Sequence, residues 1–266
     1  MPLPRKPRVS VVSYLNTAPL VWGMLHGEQR DLFELERALP SECADRLADG
    51  RADIGIVPSV ELTRQPLKIV RGAGIACHGP VRSILLISKV PIEEIRTLAT
   101  DSSSRTSVAL SQIILARRYG AAPQLYSERP HLGSMLEHCD AALIIGDAAL
   151  ALNPAELPFH VLDLGAEWAE MTGLPMVFAV WAARAELPPQ DPAPFTASLR
   201  FGLQHIDDIV RQEHSKLGIS EALAREYLTR NILFELGERE NMGLATFLQY
   251  ASELASPVEA RNVTAC

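Results

Sequence analysis

Thr100-Asp-Ser-Ser-Ser-Arg-Thr-Ser107 stands between a short apolar run, Arg96-Thr-Leu-Ala99, and Val108-Ala-Leu-Ser-Gln-Ile-Ile-Leu-Ala-Arg-Arg118. The first flank reads as a strand and the second as a helix, so the segment is a strand-to-helix turn of an α/β fold. Six of its eight residues carry a hydroxyl and one of the other two is an arginine. Free backbone N–H groups at a helix start, short hydroxyls and a guanidinium together suit a carboxylate or phosphate. Helix capping alone also favours Ser, Thr and Asp, but one hydroxyl satisfies a cap and six exceed it. A small bound anion is therefore expected here.

Outward from this turn, strands and helices alternate. Upstream, Arg8–Ser13, Leu32–Leu39 and Asp53–Val57 read as strands, with helices at Pro19–His26 and Ser41–Asp49. Leu67–Ala76 and Val81–Ser88 read as strands flanking a His78-Gly79-Pro80 turn. Downstream, Gln124–Tyr126, Ala141–Ile145, Phe159–Leu164 and Pro175–Ala182 read as strands and Leu132–His138 as a short helix. Pro188-Pro-Gln-Asp-Pro-Ala-Pro194 is a break, and beyond it the pattern is helical: Phe195–Lys216, Ser220–Leu233 and Arg239–Leu254. The residues from Ser256 show no periodic pattern.

Alternating β and α units predict mixed or parallel sheets flanked by helices. The 266 residues suit two lobes, with 47% hydrophobic and 21% charged residues providing ample core. The expected division is 1–88 plus 183–266 for lobe one and 89–182 for lobe two, the C-terminal helices packing on lobe one. A ligand cleft would lie between them, where strand ends and helix starts converge.

A net charge of −7 disfavours broad attraction to nucleic acid or anionic membrane. No apolar stretch is long enough for a transmembrane helix, and none follows the basic opening to form a signal peptide, so a cytoplasmic location is expected. Cys43, Cys77, Cys139 and Cys266 are scattered, as are the seven histidines, and no zinc-like spacing occurs. No metal is expected. Dinucleotide, P-loop and Gly-x-Ser-x-Gly motifs are missing, which removes support for nicotinamide, nucleotide and serine-hydrolase chemistry.

Other candidate residues sit at strand ends. Asn16, in Ser13-Tyr-Leu-Asn-Thr-Ala-Pro19, could orient a polar ligand or, with Thr17, simply cap the next helix. In Asp53-Ile-Gly-Ile-Val-Pro-Ser-Val-Glu61, Glu61 could be a base in a dry cleft, although support of a first turn is the plainer role for Ser59 and Glu61. Arg82 and Ser83 start an apolar strand. Gly146 permits close backbone approach, and Asp147 follows it as a cap or polar contact.

Taken together, Ser13–Pro19, Asp53–Glu61, Val81-Arg-Ser-Ile-Leu-Leu86, Ser104-Arg-Thr-Ser-Val-Ala-Leu110 and Ile145-Gly-Asp147 occur in the order of a known family. From about Val9 to Trp181 the chain resembles the chorismate dehydratases of the futalosine route to menaquinone. The resemblance implies the two-lobed fold of type II periplasmic binding proteins. It also implies loss of water from chorismate, a dianion, to give 3-[(1-carboxyvinyl)oxy]benzoate without metal or organic cofactor, by a monomer or homodimer.

On that resemblance Asn16 and Ser83 would be catalytic. Ser103, Ser104, Arg105, Thr106 and Ser107 would hold a carboxylate, and Tyr14, Thr17, Ser59, Arg82, Gly146 and Asp147 would complete the substrate site. The motifs offer no obvious protein base. The substrate's side-chain carboxylate, held by Asn16, is the expected proton acceptor, with Glu61 as rival. The alternatives are a non-catalytic small-carboxylate binding or sensing protein and the sister 1,4-dihydroxy-6-naphthoate synthase.

Overall fold

The structure is a computed structural model that describes residues 5–101 and 103–255. Ser102 of the hydroxyl-rich turn, Cys266 and the expected patternless tail lie outside the described residues. The chain begins with β1 (Arg8–Val12), α1 (Ala18–His26), β2 (Glu34–Ala38), α2 (Pro40–Ala48), β3 (Ile54–Pro58) and β4 (Leu67–Cys77). Next come β5 (Ile84–Ser88), β6 (Thr97–Asp101), α3 (Arg105–Tyr119), β7 (Gln124–Glu128), α4 (Leu132–His138), β8 (Ala141–Ile145), α5 (Gly146–Leu150), β9 (His160–Asp163) and α6 (Leu164–Thr172). It ends with β10 (Met176–Arg184), α7 (Ala193–Gln204), α8 (Ile206–Glu213), α9 (Glu221–Glu226), β11 (Leu233–Glu235) and α10 (Glu238–Ala255).

These strands build two mixed sheets, of order β11-β4-β10-β3-β1-β2 and β7-β6-β8-β5-β9. β1 pairs in parallel with β2 and β3, and β6 with β7 and β8, as βα units require. β10 and β5 run antiparallel to their neighbours. The central strands β3, β5 and β8 are buried along their whole length, which explains their unbroken apolar sequences. Cys43, Cys77 and Cys139 are buried free thiols.

Two strands fall on the other side of the expected lobe boundary. β5 belongs to the second sheet and β10 to the first, so the sheets exchange chain at 77–84 and 172–176. The His78-Gly79-Pro80 turn is thus a crossover, not a hairpin. Asp163 directs it: its carboxylate accepts the N–H groups of Val81 (2.9 Å) and Arg82 (2.6 Å), drawing the chain onto the second sheet beside β9. A fully apolar strand looks the same in either sheet, so periodicity could not show this.

The helical tail also departs from expectation. The Phe195–Lys216 pattern breaks at His205 into α7 and α8. The Ser220–Leu233 pattern is helical only to Glu226. It widens into a π-turn over Tyr227–Asn231, closed by the Ile232 N–H on the Tyr227 carbonyl (3.2 Å), and leads into edge strand β11. α7 packs on α1 of lobe one, where Ser198 Oγ accepts the Met24 N–H and donates to the Leu20 carbonyl. α10 spans both lobes: it lies on β10, and its Phe247 and Tyr250 meet Trp168 of α6 at 6.1 and 6.0 Å between ring centres. Arg117 of α3 stacks on Tyr250 at 3.7 Å.

Candidate active site

A cavity open at its mouth lies between the sheets, with polar groups set in a mostly apolar lining as in small-molecule sites. The ends of β1, β3, β6 and β8 deliver its walls. Val12, Ile75, Val81 and Phe178 make an apolar lining, and Tyr14, Asn16, Ser83, Ser104, Thr106 and Ser107 supply polar groups.

The hydroxyl-rich turn forms one wall. α3 begins three residues before the expected Val108, so Arg105–Ser107 are its first turn. Ser104 is the N-cap residue but makes no side-chain cap; the first intrahelical bond is Val108 N–H to the Ser104 carbonyl (3.1 Å). The N–H groups ahead of it are those a helix start leaves for a ligand. Ser104 Oγ donates to Ser107 Oγ (2.8 Å), so the two hydroxyls share one position on the cavity face.

The opposite wall is a buried hydrogen-bonded chain. Asn16 Nδ2 donates to the Tyr227 hydroxyl (3.0 Å), which donates to Ser83 Oγ (2.8 Å). Asn16 Oδ1 and Thr17 Oγ1 are buried without a protein partner. Gly146 has φ +62°, and a Cβ there would stand 3.0 Å from the Tyr14 ring, so glycine lets this ring close the cavity floor. Burial pushes the Tyr14 phenol up and keeps it a neutral donor.

Several expected site residues point elsewhere. Arg105 turns out of the cavity to Asp45 (2.8 Å) and Glu61 (3.1 Å), so the groups this wall presents to the cavity are N–H and O–H groups, without the expected guanidinium. Glu61 is only 3% exposed and is held by Arg105, Arg64 and Gln65, away from the cavity lining. Ser103 is occupied by Asp101, its Oγ donating at 2.7 Å. Ser59 donates to the Val177 carbonyl (2.7 Å) and Arg82 to the Leu152 carbonyl. Thr106 does reach the cavity but also accepts the Val60 N–H (3.2 Å). Among the described residues, no cluster of three or more His, Cys, Asp or Glu could hold a metal ion.

Arg105 therefore joins α3 of the second sheet to α2 and the turn after β3 in the first. Arg105→Met leaves Glu61 buried with only Arg64 at 3.6 Å as a cationic partner. Stripping one partner from a buried ion pair costs about 3–5 kcal/mol. We expect chemical denaturation to show a loss near the lower figure, because Arg64 remains; a stability equal to wild type would contradict this clamp.

Asp147 lies behind Tyr14, in a neighbouring cavity that also meets Arg37 and Glu213. Its Oδ1 accepts the Leu15 N–H at 3.1 Å. Burial and, less strongly, Glu213 push its carboxyl up to about 6, against the opposing Leu15 bond. The folded value exceeds the unfolded one of about 3.9, so this group's contribution to stability is complete below that value and is lost as pH rises through about 6. We expect Asp147→Asn to remove about 2–3 kcal/mol of the stability difference between pH 4 and pH 8. Parallel pH–stability curves for variant and wild type would refute this.

Tyr227, Phe178 and Ile75 were not singled out by sequence. Phe178 and Ile75 are inward residues of apolar strands, and Tyr227 carries only the signal of a polar-tipped aromatic on a helical pattern.

A family model described as menaquinone biosynthesis matches residues 7–253. The chain belongs to this menaquinone biosynthesis family. It is 30% identical over 257 residues to the chorismate dehydratase of Thermus thermophilus, covering 89% of this chain and 92% of the relative. Among solved structures, an Archaeoglobus fulgidus protein shares the fold with TM-score 0.73 at 17% identity, covering 94% of this chain and 98% of the other. The periplasmic aliphatic sulphonate binding protein of Escherichia coli aligns with TM-score 0.62 at 15% identity, covering 96% and 94%. These likenesses show the expected periplasmic-binding-protein-like fold. No helix among the described residues is long and apolar enough to cross a membrane.

Proposed function

We propose that the chain is a hydro-lyase that converts chorismate to 3-[(1-carboxyvinyl)oxy]benzoate in the cytoplasm. The observation that carries the reading is the pairing of an uncapped, hydroxyl-lined helix start with the Asn16–Tyr227–Ser83 chain across one cavity, in a relative of a chorismate dehydratase. The first wall suits a carboxylate, and the second, with Asn16 Oδ1 unpartnered beside Ser83, suits a hydroxyl and a carboxyl group that has taken up a proton. The apolar lining suits the ring.

The reaction needs little else. The hydrogen on the ether-bearing ring carbon leaves as a proton, and its electron pair becomes part of the ring π system. The neighbouring C–O bond breaks, and the hydroxyl departs as water. Aromatisation drives the reaction, so the protein has chiefly to orient the substrate and assist proton movement. The substrate's enolpyruvyl carboxylate, beside Asn16, is the proton acceptor in this reading. Glu61 has no part in it, because its carboxylate is clamped by Arg105 and Gln65.

A second reading, a small-carboxylate binding protein, draws on the shared fold of the sulphonate binding protein. Protein mixed with a large excess of chorismate separates the two. Conversion of many equivalents to an aromatic product lighter by one water is the expected result. Chorismate bound but unconsumed would establish the binding protein, and chorismate neither bound nor consumed would point to the sister naphthoate synthase.

A further inference from the structure

Tyr227 lies 144 residues from Ser83 and 211 from Asn16, yet its hydroxyl is the link between them. It is fully buried and has two partners. Burial raises its phenol far above the usual range, so it stays protonated and donates a single hydrogen. That hydrogen goes to Ser83 Oγ, which obliges the oxygen to accept from Asn16 Nδ2. Two consequences follow for the cavity. Asn16 is left with Oδ1 as a buried acceptor that no protein group satisfies. Ser83, having accepted, keeps its own hydrogen to donate.

We propose that Tyr227 is a positioning residue that couples Asn16 to Ser83. It holds the Asn16 Oδ1 as an acceptor and the Ser83 hydroxyl as a donor toward the substrate.

This deepens the dehydratase reading and rests on it. Before reaction the substrate carboxylate is an acceptor, and it has no hydrogen to offer Oδ1. Once it has taken the proton from the ether-bearing ring carbon, it carries an O–H, and Oδ1 gains its missing partner. The contact strengthens as the proton moves, which lowers the barrier without tightening ground-state binding. Ser83 Oγ–H meets the departing hydroxyl. The proton then passes from the carboxylic acid to that hydroxyl, water leaves, and the carboxylate is restored. Reversing the relay would invert both ends together: Asn16 would present its NH₂ and Ser83 a lone pair, and neither change in hydrogen bonding would be met.

The backbone around Tyr227 supports this placement. The residue opens the π-turn Tyr227–Asn231, an i→i+5 departure from α-helix of a kind frequent at functional sites. The far end of the turn is tied to the crossover by Asn231 Nδ2 on the Pro80 carbonyl (3.0 Å), three residues before Ser83.

The test uses Tyr227→Phe, Asn16→Ala and their combination, with turnover and product inhibition measured for each. Tyr227→Phe should lower kcat by about 30-fold, within the range of lost positioning of a reacting group, while KM and the product's inhibition constant stay within about threefold. Adding Tyr227→Phe to Asn16→Ala should cost less than a further threefold. Full multiplication of the two losses, or a Tyr227→Phe kcat within threefold of wild type, would overturn the proposal. A turnover-independent arm follows the Asn16 side-chain ¹H–¹⁵N amide pair, assigned by its disappearance in Asn16→Ala. Ser83→Ala should shift that pair and speed its exchange although the Ser83 side chain bonds to Tyr227 and not to Asn16. An unmoved pair would overturn the coupling even if Tyr227→Phe failed to fold. If wild type leaves chorismate untouched while Ser83→Ala still moves the Asn16 signals, the relay stands and the dehydratase reading with its proton route falls.

Discussion

Asn16→Ala should reduce kcat for chorismate dehydration by about 10³-fold and leave KM within about tenfold, the scale set by a positioned proton-transfer group. The side chain stands in the cavity wall with its Nδ2 held by Tyr227 and its Oδ1 free for substrate. On the proposed function, most ground-state binding would come from the helix start and from apolar contacts with the ring, and Asn16 belongs to neither. Asn16→Asp should fare no better. It would place a second negative charge against the substrate's carboxylate and could not donate to Tyr227 when ionised. Steady-state kinetics on wild type, the two Asn16 variants and Glu61→Gln decides the matter. The assignment fails if Asn16→Ala turns over within tenfold of wild type while Glu61→Gln is dead.

The second large effect is on folding. In isolation Gly202→Ala favours a helix by about 1 kcal/mol. Here a Cβ on Gly202 would stand 2.1 Å from the Pro19 carbonyl oxygen and 2.8 Å from its Cα. Those are backbone atoms that cannot rotate aside, so α7 and α1 must separate. Forced overpacking costs about 1–3 kcal/mol, and loss of the close α1–α7 seam, anchored by Ser198, adds to it. We expect a net loss of about 3 kcal/mol, opposite in sign to the helix-propensity gain. Pro19 is three residues from Asn16, so kcat should fall as well; a shift of about 1 Å at a reacting group can cost 10²-fold. Denaturant midpoints measure the first effect. A midpoint at or above wild type would mean that the seam is more pliable than its geometry indicates.

The fold was largely legible because its signals are local. Strand runs such as Ala141–Ile145 and helix punctuation such as Pro19 in the first turn of α1 depend only on neighbouring residues. Sheet membership is not local. β5 and β10 carry the same apolar pattern they would carry in the other sheet, and Asp163, far along the chain, sets where β5 goes.

The site divides in the same way. The hydroxyls of Ser104 and Ser107 reach the cavity because a helix start places its first turn there, whatever lies beyond. Arg105 is in that same turn, but its long side chain goes to the nearest carboxylates, and these stand on Asp45 and Glu61 in the other lobe. Asn16 and Ser83 were picked out by motif; the tyrosine that joins them had no motif to mark it. It is reached only by following their hydrogen bonds.

On the proposed function, the cavity between the sheets holds chorismate with a carboxylate on the start of α3. The measurement that tests this is the crystal structure of Asn16→Ala soaked with chorismate and frozen within seconds, before a turnover slowed about 10³-fold consumes it. Intact chorismate is expected between the sheets, with a carboxylate within hydrogen-bond reach of the Arg105–Ser107 N–H groups and the Ser104 or Ser107 hydroxyl. Chorismate bound with both carboxylates away from α3, or found outside this cavity, would contradict it.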